Sequence, residues 1–429
     1  MTLRLREEPN MRTGWFLKDR FGMFIHWGIY SVPARGEWVR SQERISIEDY
    51  QKYFDAFDPV DFDPRRWAKL ARNAGMKYVV LTAKHHDGFC LFDSKLTDYK
   101  ATNTKAGRDL VREYLDAFRA EGLKGGLYYS LLDWHHPDFP AWGDPFHPMR
   151  GEAGWKDRKQ DFSRYVDYFH GQVRELLTNY GKIDILWFDF SYRGKNGEMS
   201  GEKWQASRLM KMVRNLQPDI VVNNRLGGDG TQKVLTYGDF TSPEQILPRK
   251  GIVDGNGNPV PWEACVTMND HWGYCAADHD FKRPKDIIRA LVECASKNGN
   301  LILNVGPDAR GNIPEESVEI LEEVGRWMKK NGRSIYGCGA APLPKPEWGR
   351  YTQNGKKLYA HILDRGVGPI VLEGLGGKVA GARLLNDGSE IDCSVPWNAG
   401  EHGSDAFLNL RTGRLPCEED TVAEIDLKG

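Results

Sequence analysis

Short apolar runs, each ending in a polar or aromatic residue, recur along the chain up to about residue 340 and alternate with amphipathic stretches. The runs are FGMFIHWGIYS (21–31), MKYVVLTAKHHDGF (76–89), LKGGLYYSLLDWHH (123–136), IDILWFDF (183–190), DIVVNNR (219–225), KVLTYGDF (233–240), PWEACVTMND (261–270) and LILNVGP (301–307). Their length and continuous apolarity suit strands buried on both faces, as in a parallel sheet covered by helices. Between them, RDLVREYLDAFRAE (108–121) places apolar residues at 110, 111, 114, 115 and 118, one face of a helix. DFDPRRWAKLARNAG (61–75) has Pro64 early, apolar residues at 67, 70 and 71, and Gly75 as a stop. Further helices are predicted at 160–179, 202–216, 284–298 and 315–330, and a long loop at 137–156. Strands separated mostly by helices over this length predict an α/β fold, a (β/α)8-like TIM barrel spanning 1–340.

Past residue 340 the pattern changes. Pro342, Pro344 and Pro346 form a linker, and the runs KLYAHILD, GPIVLEG, KVAGARLL, AFLNL and TVAEIDL are separated by turns such as NDG at 386–388. Residues 341–429 are therefore expected to form a small C-terminal β-sandwich.

Composition narrows the function classes. A net charge of −1 over 429 residues gives no support for binding nucleic acid or an anionic membrane. Seven scattered cysteines without C-x-x-C spacing (90, 265, 275, 294, 338, 393, 417) argue against a disulfide framework or a structural zinc. The N-terminus lacks the apolar core of a signal peptide and no run is long enough to span a membrane, which together point to a cytoplasmic protein. GGDG (227–230) and DGNGN (254–258) lack the lysine and hydroxyl residue of a phosphate loop and read as turns.

The strand ends carry the chemistry. They hold His26, His85 and His86, Tyr128, Trp187 and Asp189, Arg225, Asp239 with Glu244, and Glu263 with Trp272; Glu37 and Trp38 follow the first strand. In a β/α barrel these positions converge at one mouth. A carboxylate at a buried strand end is costly unless its charge is used. Tryptophans stack on the C–H faces of sugars while histidine, arginine and carboxylate hold the hydroxyls, and glycosidic cleavage needs two carboxyl groups. His26, Arg225 and the tryptophan N–H groups are expected to pair with or hydrogen-bond an ionised Asp189. Two other classes use similar residues. A metal-dependent barrel hydrolase would draw on the histidines, but H-x-H on the first strand and H-E-x-x-H are missing, and adjacent His85 and His86 point apart on a regular strand. An inactive sugar-binding protein could lack one carboxylate, whereas both are present.

FGMFIHWGIYSVPARGEWV, KYVVLTAKHHDGFCLFDSK, LYYSLLDWHH, ILWFDF, WEACVTMNDHWGY and NLILNVGPDARGNIP, in that order from about residue 15 to 340, resemble the α-L-fucosidases of glycoside hydrolase family 29. The resemblance implies a barrel followed by a β-sandwich, and a retaining exo-α-L-fucosidase that needs no metal or cofactor and acts on a fucosylated oligosaccharide or glycoconjugate. It leaves a homo-oligomer open. Asp189 in LWFDF matches the family's nucleophile. His26, Glu37, Trp38, His85, His86, Tyr128, Trp187 and Arg225 match residues lining the fucose subsite, and Trp272 in HWGY matches an aromatic on the sugar's apolar side. Glu244 in GDFTSPEQ matches the commoner position of the acid/base, with Glu263 in PWEACV as the alternative. Linkage preference falls to loops such as 137–156 and 226–236, where the matching is weak.

Overall fold

Seven parallel strands, β1 (Phe21–Ile25), β2 (Tyr78–Lys84), β3 (Lys124–Ser130), β4 (Ile185–Asp189), β5 (Val221–Val222), β6 (Glu263–Thr267) and β7 (Asn300–Val305), form a curled sheet in the order β5-β4-β3-β2-β1-β7-β6. The structure is a computed structural model and describes residues 12–194, 197–228, 235–400, 402–411 and 413–428. The gap between β5 and β6 is bridged by an irregular eighth segment. Asn223 pairs with Phe240, Thr241 with Trp262 and Glu244 with Cys265, all parallel, with Thr241 N–H donating to Pro261 O at 2.9 Å and Glu263 N–H to Thr241 O at 2.9 Å.

Alternation along each strand sorts the side chains into two sets. Phe24, Tyr78, Val80, Tyr128, Ile185, Trp187, Val221, Phe240, Cys265 and Ile302 pack together inside the barrel. Met23, Ile25, Val79, Leu81, Leu127, Leu186, Phe188, Val222, Leu301 and Leu303 join the larger core beneath the helices, the period-two division of a strand covered on both faces. The helix Gly14–Asp19 closes the barrel floor: Phe16 lies 4.7 Å from Phe240 and 5.7 Å from Tyr78, ring centre to ring centre. Gly22 is needed there, since a Cβ would sit 2.2 Å from the Tyr78 ring.

Helices cover the outside at Pro64–Asn73, Leu110–Ala120, Phe162–Asn179, Ala206–Leu216, Pro284–Ala295 and Glu315–Asn331. Asp63, Asp109 and Asp161 accept backbone N–H groups at three of their N-termini, the usual capping chemistry. Four features differ from the sequence expectation. Residues 233–234 of the predicted KVLTYGDF strand lie outside the described residues, and the barrel is closed instead by 240–244. Among the described residues, no helix separates β5, the closing segment and β6. Helix Ile47–Ala56, capped by Ser46, and the hairpin Tyr192–Gly194/Gly197–Met199 carry too weak a pattern to be foreseen. The 137–156 loop is, as expected, mostly turns, with one helical turn at Ala153–Lys156.

Beyond the barrel, five antiparallel strands run in the order Gly339–Ala340, Gly349–Asn354, Lys357–Ile362, Thr421–Leu427, Val379–Leu384, and a second sheet pairs Ile370–Leu372 with Ala406–Leu408. Leu358, Ile362, Leu372, Leu408 and Ile425 from both sheets make a separate core. Polar contacts tie this part to the barrel helices: Arg350 Nε donates to Glu293 at 2.8 Å and Trp327 Nε1 to Asp420 O at 3.1 Å. No helix among the described residues is long and apolar enough to cross a membrane.

Candidate active site

One cavity at the C-terminal mouth of the barrel, about 90 Å³, is lined by Phe24, His26, Glu37, Trp38, His85, His86, Tyr128, Trp187, Asp189, Phe190, Arg225, Glu244, Cys265 and Trp272. Every predicted site residue is among them except Glu263, and Asp239 of the strand-end set also lies outside. Phe24, Phe190 and Cys265 were missed, since apolar strand residues carry no chemical signal of their own. A larger concavity of about 1000 Å³ lies among the C-terminal strands, but the converging carboxylates, histidines and guanidinium are in the small one, which marks it as the site.

Asp189 ends β4 with both carboxylate oxygens occupied. Oδ1 accepts from Arg225 Nη1 at 2.7 Å and Oδ2 accepts from the Tyr128 hydroxyl at 2.7 Å. The sequence expectation named Arg225 correctly, but His26 and the Trp187 N–H bond elsewhere, and Tyr128 takes their place. Pairing of Tyr128 with Trp187 across β3 and β4, and of Ser130 with Asp189, brings these groups together. β5 ends too early to pair with Phe188, so the Asn223 amide does so, accepting from Phe188 N–H at 2.9 Å and donating to Phe188 O at 2.8 Å. The chain then turns at Phe190, whose φ is 81°, a left-handed conformation that is rare for a bulky residue. Phe190 is held there against Trp38, His86 and Phe146.

Arg225 joins the two candidate catalytic carboxylates. Nη1 bonds Asp189 while Nη2 reaches Glu244 Oε2 at 2.9 Å, and Nε donates to Ser242 Oγ at 3.0 Å. The guanidinium lies over the Trp187 ring at 4.5 Å. Burial alone would depress its pKa, but the charges of Asp189 and Glu244 more than reverse this and hold it above the ordinary value. Glu244 sits at the open rim, its side chain 42% exposed against 12% for Asp189. Its neighbour Gln245 also has a positive φ, 54°, and is pinned by donation to Thr267 Oγ1 at 2.9 Å.

Glu263 is elsewhere. It is fully buried in the barrel beneath the cavity, accepting from the Tyr78 hydroxyl and from Trp187 Nε1 at 3.3 Å. Burial raises its pKa to about 7 despite these bonds. Asp239, also at a predicted strand end, is spent on structure: Oδ2 accepts from Arg214 at 2.6 Å and from Val222 N–H at 2.9 Å.

Three histidines form the polar wall. His85 and His86 would diverge on a regular strand, but the β2–β3 register shifts between Thr82 and Lys84, and the chain turns at once, with Gly88 N–H donating to His85 O. Both rings therefore reach the cavity, 4.0 Å apart. His85 Nδ1 is buried without a protein partner. Burial lowers the pKa of all three, that of His26 to about 3, so each is neutral near pH 7 and offers one donor and one acceptor. Among the described residues no three His, Cys, Asp or Glu side chains converge as a metal ligand set.

Trp272 covers the cavity, its ring 5.0 Å from His26 and 6.0 Å from Phe24. The peptide bond between Trp272 and Gly273 is held from both sides: Trp272 O accepts from Asn304 Nδ2 at 2.7 Å, and Gly273 N–H donates to Glu37 Oε2 at 2.7 Å. Glu37 is buried, which raises its pKa, while the Gly273 N–H works against that rise. The peptide lies against Gly306, where a Cβ would come 2.7 Å from Trp272 O. Trp38 completes the opposite wall, 4.9 Å from His86 and 5.3 Å from Trp134.

The family model described as Alpha-L-fucosidase matches residues 5–333. The chain is 31% identical over 349 residues to plasma alpha-L-fucosidase of Homo sapiens, a match covering 75% of this chain and 68% of that protein. Among solved structures, alpha-L-fucosidase isoenzyme 1 from Paenibacillus thiaminolyticus superposes with a TM-score of 0.94 at 64% identity, over 97% of this chain and 99% of that one. A GH29 alpha-L-fucosidase from Bacteroides thetaiotaomicron, trapped as a covalent intermediate with 2-fluoro-fucosyl fluoride, superposes with a TM-score of 0.84 at 28% identity, over 99% and 97% of the two chains.

Proposed function

The chain belongs to the α-L-fucosidase family, glycoside hydrolase family 29, and from this we propose that Asp189 is its nucleophile and Glu244 its acid/base. It is a retaining α-L-fucosidase that hydrolyses fucosylated glycans through a covalent fucosyl-enzyme intermediate. The observation that carries the residue assignment is the single guanidinium of Arg225 bonded to both Asp189 and Glu244. One fork holding two carboxylates keeps them close enough to flank one anomeric carbon, as the ~5–5.5 Å separation of a retaining pair requires.

Asp189 attacks the anomeric carbon and forms an ester bond to it as the glycosidic C–O bond breaks. The departing oxygen takes a proton from Glu244, which stands at the rim where the rest of the glycan leaves. Glu244 then takes a proton from water, whose oxygen attacks the anomeric carbon and releases Asp189 as carboxylate. His26, His85, His86, Glu37 and Arg225 engage the sugar's hydroxyls. Trp38, Trp187 and Trp272 enclose its apolar surface. Glu263 supports Trp187 from below and does not take part in proton transfer.

Azide rescue on an aryl α-L-fucoside tests these roles. Asp189→Gly is rescued with formation of the β-fucosyl azide, and Glu244→Ala with the α-anomer, because azide enters from opposite faces. Rescue of Glu263→Ala, with Glu244→Ala still active, would overturn the acid/base assignment.

A further inference from the structure

We infer that Asn304 is a positioning residue that fixes His26 in its Nδ1–H tautomer, so that Nε2 offers a lone pair to one hydroxyl of the bound sugar. The inference rests on the fucosidase reading of the cavity. Asn304 lies on β7 beside Phe24 of β1, and is 1% exposed. Its amide has two neighbours. Trp272 O lies 2.7 Å from Nδ2, and His26 Nδ1 lies 2.7 Å from Oδ1. A backbone carbonyl can only accept, so the NH2 end of the amide must face Trp272 and the oxygen must face His26. Two acceptors do not meet at that distance, so the hydrogen sits on His26 Nδ1. The ring is neutral, because burial keeps its pKa near 3, and Nε2 is then an acceptor. Among the described residues Nε2 has no hydrogen-bond partner, and the ring lines the cavity. Its complement is a hydroxyl donor on the substrate.

The neighbouring histidines are not constrained in this way. His86 Nδ1 faces Ser130 Oγ at 2.6 Å, and a hydroxyl can donate or accept. His85 Nδ1 has no protein partner. Asn304 thus turns one backbone carbonyl into a tautomer choice at His26, and the same amide anchors Trp272. The polar and aromatic walls of the site share one support.

The test is ¹⁵N NMR of the protein labelled at histidine, with the His26 signals identified by their loss in His26→Phe. Wild type should show His26 Nδ1 protonated and Nε2 bare at neutral pH. A protonated Nε2 overturns the inference without any variant of Asn304. Asn304→Leu removes the acceptor that faces Nδ1, while His85, His86, Tyr128 and Arg225 still face the ring from the other strands. His26 should then show both tautomers, with Nε2 partly protonated in the same ¹⁵N spectrum. The same variant should raise KM at least about tenfold, since it frees both His26 and Trp272. A folded Asn304→Leu protein that keeps the wild-type His26 nitrogen shifts also overturns the inference. If wild type turns over no fucoside, the functional reading falls, while the nitrogen shifts still report the tautomer.

Discussion

Tyr128 donates its phenolic hydrogen to Asp189 Oδ2 at 2.7 Å, from the neighbouring strand of the barrel. With Asp189 as the proposed nucleophile, negative charge returns to it when water releases the sugar, and this hydrogen bond is in place to receive it. Tyr128→Phe should slow that second step most. A bond to a charged group contributes about 1.5–3 kcal/mol, so kcat should fall roughly ten- to hundredfold. KM should fall with it as fucosyl-enzyme accumulates, and an aryl fucoside should release its phenol in a burst. An unchanged kcat with no burst would count against Asp189 as the nucleophile.

Arg225→Lys keeps the charge and loses the fork. One ammonium nitrogen cannot reach Asp189, Glu244 and Ser242 together or stack on Trp187. Broken buried ion pairs cost on the order of 3 kcal/mol, so Tm should drop. Loss in kcat/KM should exceed that of Tyr128→Phe, as both carboxylates lose their register. Steady-state kinetics beside a melting curve checks both.

Glu263 gives stability a pH dependence. Its pKa is about 7 in the fold against 4.5 in the unfolded chain, so between these values the folded state keeps a proton that the unfolded state has lost. The contribution is complete below about pH 4.5 and disappears as pH rises through about 7, at about 1.4 kcal/mol per pH unit. Glu263→Gln removes this titration. Chemical denaturation across that window should show wild type losing stability relative to Glu263→Gln as pH rises, and parallel curves would refute the buried protonated state. Activity of Glu263→Gln should stay near wild type.

Gly306→Ala should disturb Trp272 without touching any titratable group. The added methyl meets Trp272 O and the Gly273 carbonyl carbon, at 2.7 and 3.0 Å, and backbone atoms held by Asn304 and Glu37 cannot move aside cheaply. Overpacking of this kind costs about 1–3 kcal/mol. KM should rise more than kcat falls. An unaltered KM would mean that Trp272 does not contact the sugar.

Most of the site could be read from the chain because a buried parallel strand is continuously apolar, so a polar residue at its end stands out. His26, His85, His86, Asp189 and Arg225 were all visible in this way, and the family motifs gave them an order. The same periodicity was silent about Asn304 and Asn223, whose amides sit inside or just after apolar runs and act through partners remote in sequence. It was also silent about the closing segment 240–244, where three scattered bridges rather than a regular ladder complete the barrel.

Glu244 and Glu263 show where the division falls. Along the chain both are carboxylates at candidate strand ends, nineteen positions apart, and the resemblance left both open. Local pattern determined that each strand would be buried and that its end would carry polar groups. It could not determine depth within the barrel, because depth depends on register between strands. Pairing of Glu244 with Cys265, two residues beyond Glu263 on β6, lifts Glu244 to the rim beside Arg225 and leaves Glu263 in the floor under Trp187. Only the tertiary structure decided which carboxylate meets Arg225 and Asp189, and it did so through strand register, which no stretch of sequence contains alone.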